Sequence, residues 1–122
     1  MLLNSFYKIL DIKQENEDWI FRIELNPEHK IFEGHFPEQP IVPGVCSLQI
    51  IKECAENILG KDIRINYISS CKYLTAINPK ESRELEIRIS LKDTESENIS
   101  LSATGKSNEH DFIKLKATLS IA

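Results

Sequence analysis

His35 is an ionisable side chain held at a fixed distance ahead of a helix start, in the run Gly34-His35-Phe36-Pro37-Glu38-Gln39-Pro40-Ile41-Val42-Pro43-Gly44-Val45. An imidazole with an ordinary pKa of about 6.5 takes or returns a proton near neutrality. Pro37, Pro40 and Pro43 fix φ along the loop and let it aim the ring. At Pro43-Gly44 the loop closes, and Val45-Cys46-Ser47-Leu48-Gln49-Ile50-Ile51 begins a helix whose first N–H groups have no partner within it. Such N–H groups can polarise an acyl carbonyl. A base beside an oxyanion-type site suits proton abstraction from the carbon next to a thioester carbonyl.

The segment IFEGHFPEQPIVPGV, Ile31 to Val45, resembles the active-site loop of the beta-hydroxyacyl-acyl carrier protein dehydratases. Those are hotdog-fold enzymes that remove water from 3-hydroxyacyl thioesters. The resemblance implies an α+β hotdog, an antiparallel β-sheet wrapped around one long central α-helix. It makes His35 the catalytic base, and the backbone N–H groups at Gly44 and Val45 the binding site of the thioester carbonyl. Phe36 is expected to anchor the loop in the core and to belong to the substrate-binding set with Gly44 and Val45. No metal or organic cofactor is implied. The partners implied are an acyl carrier protein or coenzyme A thioester and a second subunit, because the family builds each site across two chains. A homodimer, a higher homo-oligomer or a pairing with a second hotdog chain would each serve.

One family feature is missing. The family's second catalytic residue is a glutamate or aspartate five residues after the glycine of PGV, and this chain has Gln49 there. A carboxyl group can hand a proton to the leaving hydroxyl, whereas an amide offers only a hydrogen bond, and loss of general-acid work costs roughly 10²–10⁴ in rate. Gln49 is therefore expected to donate a hydrogen bond to the substrate hydroxyl while His35 both removes the α proton and returns it. Glu38 also departs from the family, which often has glycine after HFP. The leading reading is a 3-hydroxyacyl-thioester dehydratase or hydratase of fatty-acid-type biosynthesis. A hotdog acyl thioesterase and a non-catalytic partner subunit of a heteromeric dehydratase are the alternatives.

The 122 residues have room for one domain, 1–122, with a modest core. A net charge of −4 argues against nucleic acid or an anionic membrane as partner. An acidic carrier protein would need a local basic patch, for which Lys72, Lys80, Arg83 and Arg88 are candidates. The N-terminus lacks the pattern of a signal peptide and no apolar run approaches a membrane span, so a cytoplasmic protein is expected. Cys46, Cys54 and Cys71 are odd in number and lack CxxC spacing, which predicts free, buried thiols rather than disulfides or a zinc site. Helix polarity could activate Cys46 as a nucleophile, but its apolar surroundings favour packing. His29 and His110 read as structural or surface residues, and no ligand at metal spacing completes a site with His29 and His35.

These residues need a frame. Phe6 to Ile12 and Trp19 to Leu25 read as two strands, the second with Trp19, Phe21, Ile23 and Leu25 on one face. Asn26-Pro27 stops it, and a loop from Glu28 to Pro43 carries the motif. Val45, Leu48, Ile51, Ala55 and Ile58 recur at helical spacing from Gly44 to Leu59, and Gly60 closes the helix. Ile63 to Ile77, Leu85 to Leu91, Ile99 to Thr104 and Phe112 to Ile121 read as four more strands. In the last, Ile113, Leu115, Ala117, Leu119 and Ile121 alternate with Lys114, Lys116, Thr118 and Ser120, which predicts one packed face and one wet face.

Overall fold

The computed structural model of the protein describes residues 1–33, 40–94 and 96–122. Strands β1 (Tyr7–Glu15) and β2 (Asp18–Leu25) lead into a single 3₁₀ turn at Lys30–Phe32 and then helix α1 (Gly44–Leu59). Four strands follow: β3 (Ile63–Tyr73), β4 (Glu84–Asp93), β5 (Ile99–Ser107) and β6 (His110–Ile121). They form one antiparallel sheet in the order β1-β2-β4-β5-β6-β3. This is the hotdog arrangement, with the helix packed into the sheet's inner face.

The alternation explains the register. Phe21, Ile23 and Leu25 of β2, Ile87 and Ile89 of β4, and Ile113, Leu115, Ala117 and Leu119 of β6 are all buried. They meet Cys46, Ile50, Ile51, Cys54 and Ala55 of α1 in one core. Among residues 44–59 only Val45 and Asn57 are exposed, so the sheet covers the helix over most of its circumference. Gly60 ends α1 at φ 67°, a left-handed conformation natural to glycine, and its N–H bonds the Glu56 carbonyl at 2.8 Å.

Several boundaries differ from the sequence reading: β1 runs past Ile12 to Glu15 and β4 past Leu91 to Asp93, and two further differences bear on the site and the last hairpin. The β3 segment continues its alternation to Ile77 in sequence, yet the strand ends at Tyr73, where its last partner on β6 is Ile113. The chain then leaves the sheet and passes the start of α1, and the Val42 N–H bonds the Ile77 carbonyl at 2.9 Å. At the other hairpin, β5 and β6 extend to Ser107 and His110. Asn108 (φ 49°) and Glu109 (φ 70°) turn the chain in two residues, a geometry matched to the twist of the strands.

Candidate active site

Helix α1 starts without help from a side chain. Its N-cap is Pro43, which makes no side-chain cap, and its first turn contains no acidic residue. The N–H groups of Cys46 and Ser47 both reach the Pro43 carbonyl, at 2.9 and 3.3 Å. Those of Gly44 and Val45 have no acceptor among the described residues. The helix therefore presents two amide donors at its positive end. A groove of about 460 Å³ opens beside them, with Val42, Gly44, Tyr73, Leu74 and Phe112 in its walls. It is an open, mostly apolar groove, with Ser47 and Thr75 also in its lining, beside a pair of N–H donors, which suits an acyl chain and its carbonyl.

Tyr73 gives Gly44 its reason. A Cβ on Gly44 would lie 2.8 Å from Cζ and 2.9 Å from Cε1 of the Tyr73 ring, closer than carbon atoms can approach. The ring lies flush against the backbone of the first helical residue only because that residue has no side chain. Sequence reasoning did not single out Tyr73; its only signal was an aromatic residue near the end of an expected strand. His35 and Phe36 lie outside the described residues.

Gln49 lies five residues beyond Gly44, about 140° around the helix. It is half-buried, and its Nε2 donates to Oε2 of Glu53 at 2.7 Å. Glu53 is 4% exposed and is the other residue that sequence reasoning missed. Its Oε2 also accepts from the Leu2 N–H at 2.8 Å, while Oε1 accepts from the Leu3 N–H at 2.9 Å and the Tyr7 hydroxyl at 3.0 Å. Burial alone would raise the Glu53 pKa. The hydrogen bonds from Leu2, Gln49, Leu3 and Tyr7 outweigh it and hold the carboxyl below the usual glutamate range. Glu53 is thus an ionised acceptor that ties the N-terminal segment to α1, and it cannot serve as the missing proton donor.

The remaining candidates fall into place by contact. His29 accepts the Ile31 N–H on Nδ1 at 3.1 Å and meets the Phe6 ring edge-on at 5.3 Å, which makes it a cap for the 3₁₀ turn. Cys46 and Cys54 are buried and Cys71 partly so, and all three are free thiols. Burial pushes the Cys46 thiol up, and burial with the Glu53 charge pushes Cys54 up to about 12, so neither is an activated nucleophile. Of the four basic candidates, Lys72 and Arg88 share one trough on the outer face of the sheet, joined there by Lys114 and Lys116. Arg83 lines a separate groove near Lys8 and Glu24. The strand register builds the trough: Lys72 pairs with Lys114, Lys114 with Thr104, and Thr104 with Arg88.

The family model for ApeI-like proteins, described as the ApeI dehydratase, matches residues 11–113. The chain belongs to the ApeI-like dehydratase family. A curated relative, the 3-hydroxyacyl-[acyl-carrier-protein] dehydratase FabZ of Fusobacterium nucleatum, is 25% identical over 116 residues, 91% of this chain and 79% of its own length. Among solved structures, the dehydratase heterocomplex ApeI:P from Xenorhabdus doucetiae contains a chain that superposes with a TM-score of 0.77 at 20% identity. That match covers 92% of this chain and 96% of the other. A hypothetical thioesterase from Streptococcus pneumoniae, solved with coenzyme A, matches with a TM-score of 0.67 at 12% identity, over 98% of this chain and 91% of its own. The structural likenesses establish the hotdog fold, and the family model places this ApeI-like chain among the dehydratases. Among the described residues, no helix is long and apolar enough to cross a membrane.

Proposed function

We propose that this chain acts on 3-hydroxyacyl thioesters as a dehydratase or, in reverse, a hydratase. The observation that carries the reading is the uncapped start of α1 beside an apolar groove, in a member of a dehydratase family. The thioester carbonyl accepts from the Gly44 and Val45 N–H groups, which stabilises the negative charge that develops on its oxygen when the neighbouring C–H bond breaks. His35 takes that proton, and Phe36 holds the motif loop beside the acyl chain. The electron pair left on C2 forms the C2=C3 double bond, and the C3–O bond breaks with its pair on oxygen. The imidazolium returns its proton to that oxygen, so the products are the enoyl thioester and water. Gln49 orients the 3-hydroxyl.

The site needs two chains. Gly44 and Gln49 point to different sides of one helix, so Gln49 serves the histidine of a neighbouring subunit. Edge strand β3 supplies a docking edge: it spans 11 residues and exposes Tyr67, Ile68 and Tyr73. The basic row on the outer sheet face supports an acidic acyl carrier protein as the bearer of the substrate.

Position 49 favours a second reading. No carboxyl stands there, and Glu53 is saturated with donors. In that reading the chain pairs with a hotdog partner that supplies the acid, a pairing supported by its structural relative, which is part of a dehydratase heterocomplex. The test is to incubate the purified homomer with a short 3-hydroxyacyl thioester and follow enoyl absorbance, with His35→Ala as control. Enoyl formation abolished in the variant supports a one-histidine dehydratase. A silent homomer that becomes active only with a second hotdog chain establishes the partner role instead.

A further inference from the structure

Glu53 decides which way Gln49 points. Each of its oxygens already meets a backbone N–H, from Leu2 and from Leu3, and those groups can only donate. Both oxygens must therefore accept. An amide oxygen set 2.7 Å from such an acceptor would face it with like partial charge, so the group in contact is the –NH₂. We infer that Glu53 is the positioning residue of position 49: it holds the Gln49 amide by its nitrogen, leaving Oε1 free of Glu53, and it would keep a proton on any carboxyl placed there. This rests on the dehydratase reading, in which position 49 faces the substrate hydroxyl. It replaces the donor role expected from the sequence with an acceptor role. With one Nε2–H engaged by Glu53, Oε1 is free to accept the hydroxyl's own hydrogen, which leaves the hydroxyl oxygen's lone pairs open to the returning proton.

The second half follows from charge. A glutamate at 49 would come within hydrogen-bond distance of Glu53, and two carboxylates that close do not both ionise. Three donors besides residue 49 favour the ionised form of Glu53, so the proton settles on the new carboxyl and its O–H takes the place of Nε2. The other titratable groups beside Glu53, among the described residues, are Tyr7 on β1, Cys54 on α1, and Met1, Glu56, Lys61 and Asp62, which share a groove with it. Tyr7 and Cys54 are both pushed up and stay neutral near pH 7. Glu56 is engaged by the Ile63 N–H at 2.9 Å and adds a negative charge, which favours a protonated neighbour. Lys61 and the end of the chain at Met1 oppose it from exposed positions, where exposed Asp62 offsets them. Gln49 is the neutral residue of carboxyl size that can donate to Glu53 without competing for its charge.

The experiment compares Gln49→Glu and Gln49→Glu/Glu53→Gln in full-length protein carrying ¹³C-carboxyl glutamate, titrated by NMR, alongside the pH profile of enoyl formation. The resonance unique to Gln49→Glu is expected to titrate well above the value of about 4.3 of an unperturbed glutamate. The double variant should return it toward that ordinary value, and any pH limb of the rate should move with it. Titration near 4.3 in the single variant overturns the inference, and that result stands whether or not the double variant folds. A raised titration in protein that makes no enoyl product with any partner supports the positioning role while removing the dehydratase reading, so the two fail separately.

Discussion

Gly44→Ala would bring a methyl group to 2.8 Å from the Tyr73 ring. The contact falls at the far end of the side chain of a residue that is 54% exposed, so the ring can swing away, and the substitution is expected to lower stability by at most about 1 kcal/mol while shifting the groove wall. Tyr73→Ala in the same chain should recover most of that loss, as read by thermal melting. If Gly44→Ala melts like the native protein, the close approach of ring to backbone is not what demands glycine. The same ring stands beside the Gly44 and Val45 N–H groups, so its displacement should also lower turnover of a 3-hydroxyacyl thioester. Chemistry at this scale depends on missing atoms: no side chain on Gly44, and no carboxyl at 49.

Among elements, the N-terminal segment is joined to α1 through a buried charge. Its anchor is Glu53, whose pKa is lowered in the fold because four hydrogen bonds outweigh burial. A depressed carboxyl contributes stability that is fully present above its unfolded value of about 4.3 and is lost as pH falls through the folded value. Amide protection at Leu2 and Leu3 should therefore collapse in acid before protection in β5 and β6. Hydrogen exchange followed from pH 6 downward checks this order, and simultaneous loss everywhere would show that the segment is not held by that charge. Glu53→Ala leaves the Tyr7 hydroxyl and two backbone N–H groups without an acceptor, at roughly 1–3 kcal/mol each if they stay buried.

At the scale of the whole molecule, the outer sheet face carries a row that is costly on its own terms. Lys72 and Lys114 sit directly opposite one another on adjacent strands, where like charges repel. Arg88 is partly neutralised by Asp18 at 3.0 Å, and Lys114 has Asp111 at 3.9 Å, but no ion pair engages Lys72 or Lys116 among the described residues. A positive face on a chain of net charge −4 fits an acidic carrier. Replacing Lys72 and Lys114 by alanine should raise KM several-fold more for a carrier-borne thioester than for a short free one, and should flatten the salt dependence of the former. Equal effects on both substrates would remove the row from carrier recognition.

The helix from Gly44 to Leu59, its end at Gly60 and the six strands were legible in the sequence because hydrophobic period and turn chemistry are local properties of the chain. The uncapped N–H pair was legible for the same reason, since Pro43-Gly44 carries no side chain able to cap it. The motif around His35 and Phe36 was equally plain as sequence, although those residues lie outside the described structure. Tertiary structure alone decided what surrounds these parts. Glu53 meets Leu2, Leu3 and Tyr7 across separations of 51, 50 and 46 residues, so nothing in the helix's own pattern marks it as the clamp on Gln49. Tyr73 reaches Gly44, and Lys72 reaches Lys114, Thr104 and Arg88, only through strand register. Periodicity tells a residue which face it occupies; register and packing determine what it touches there.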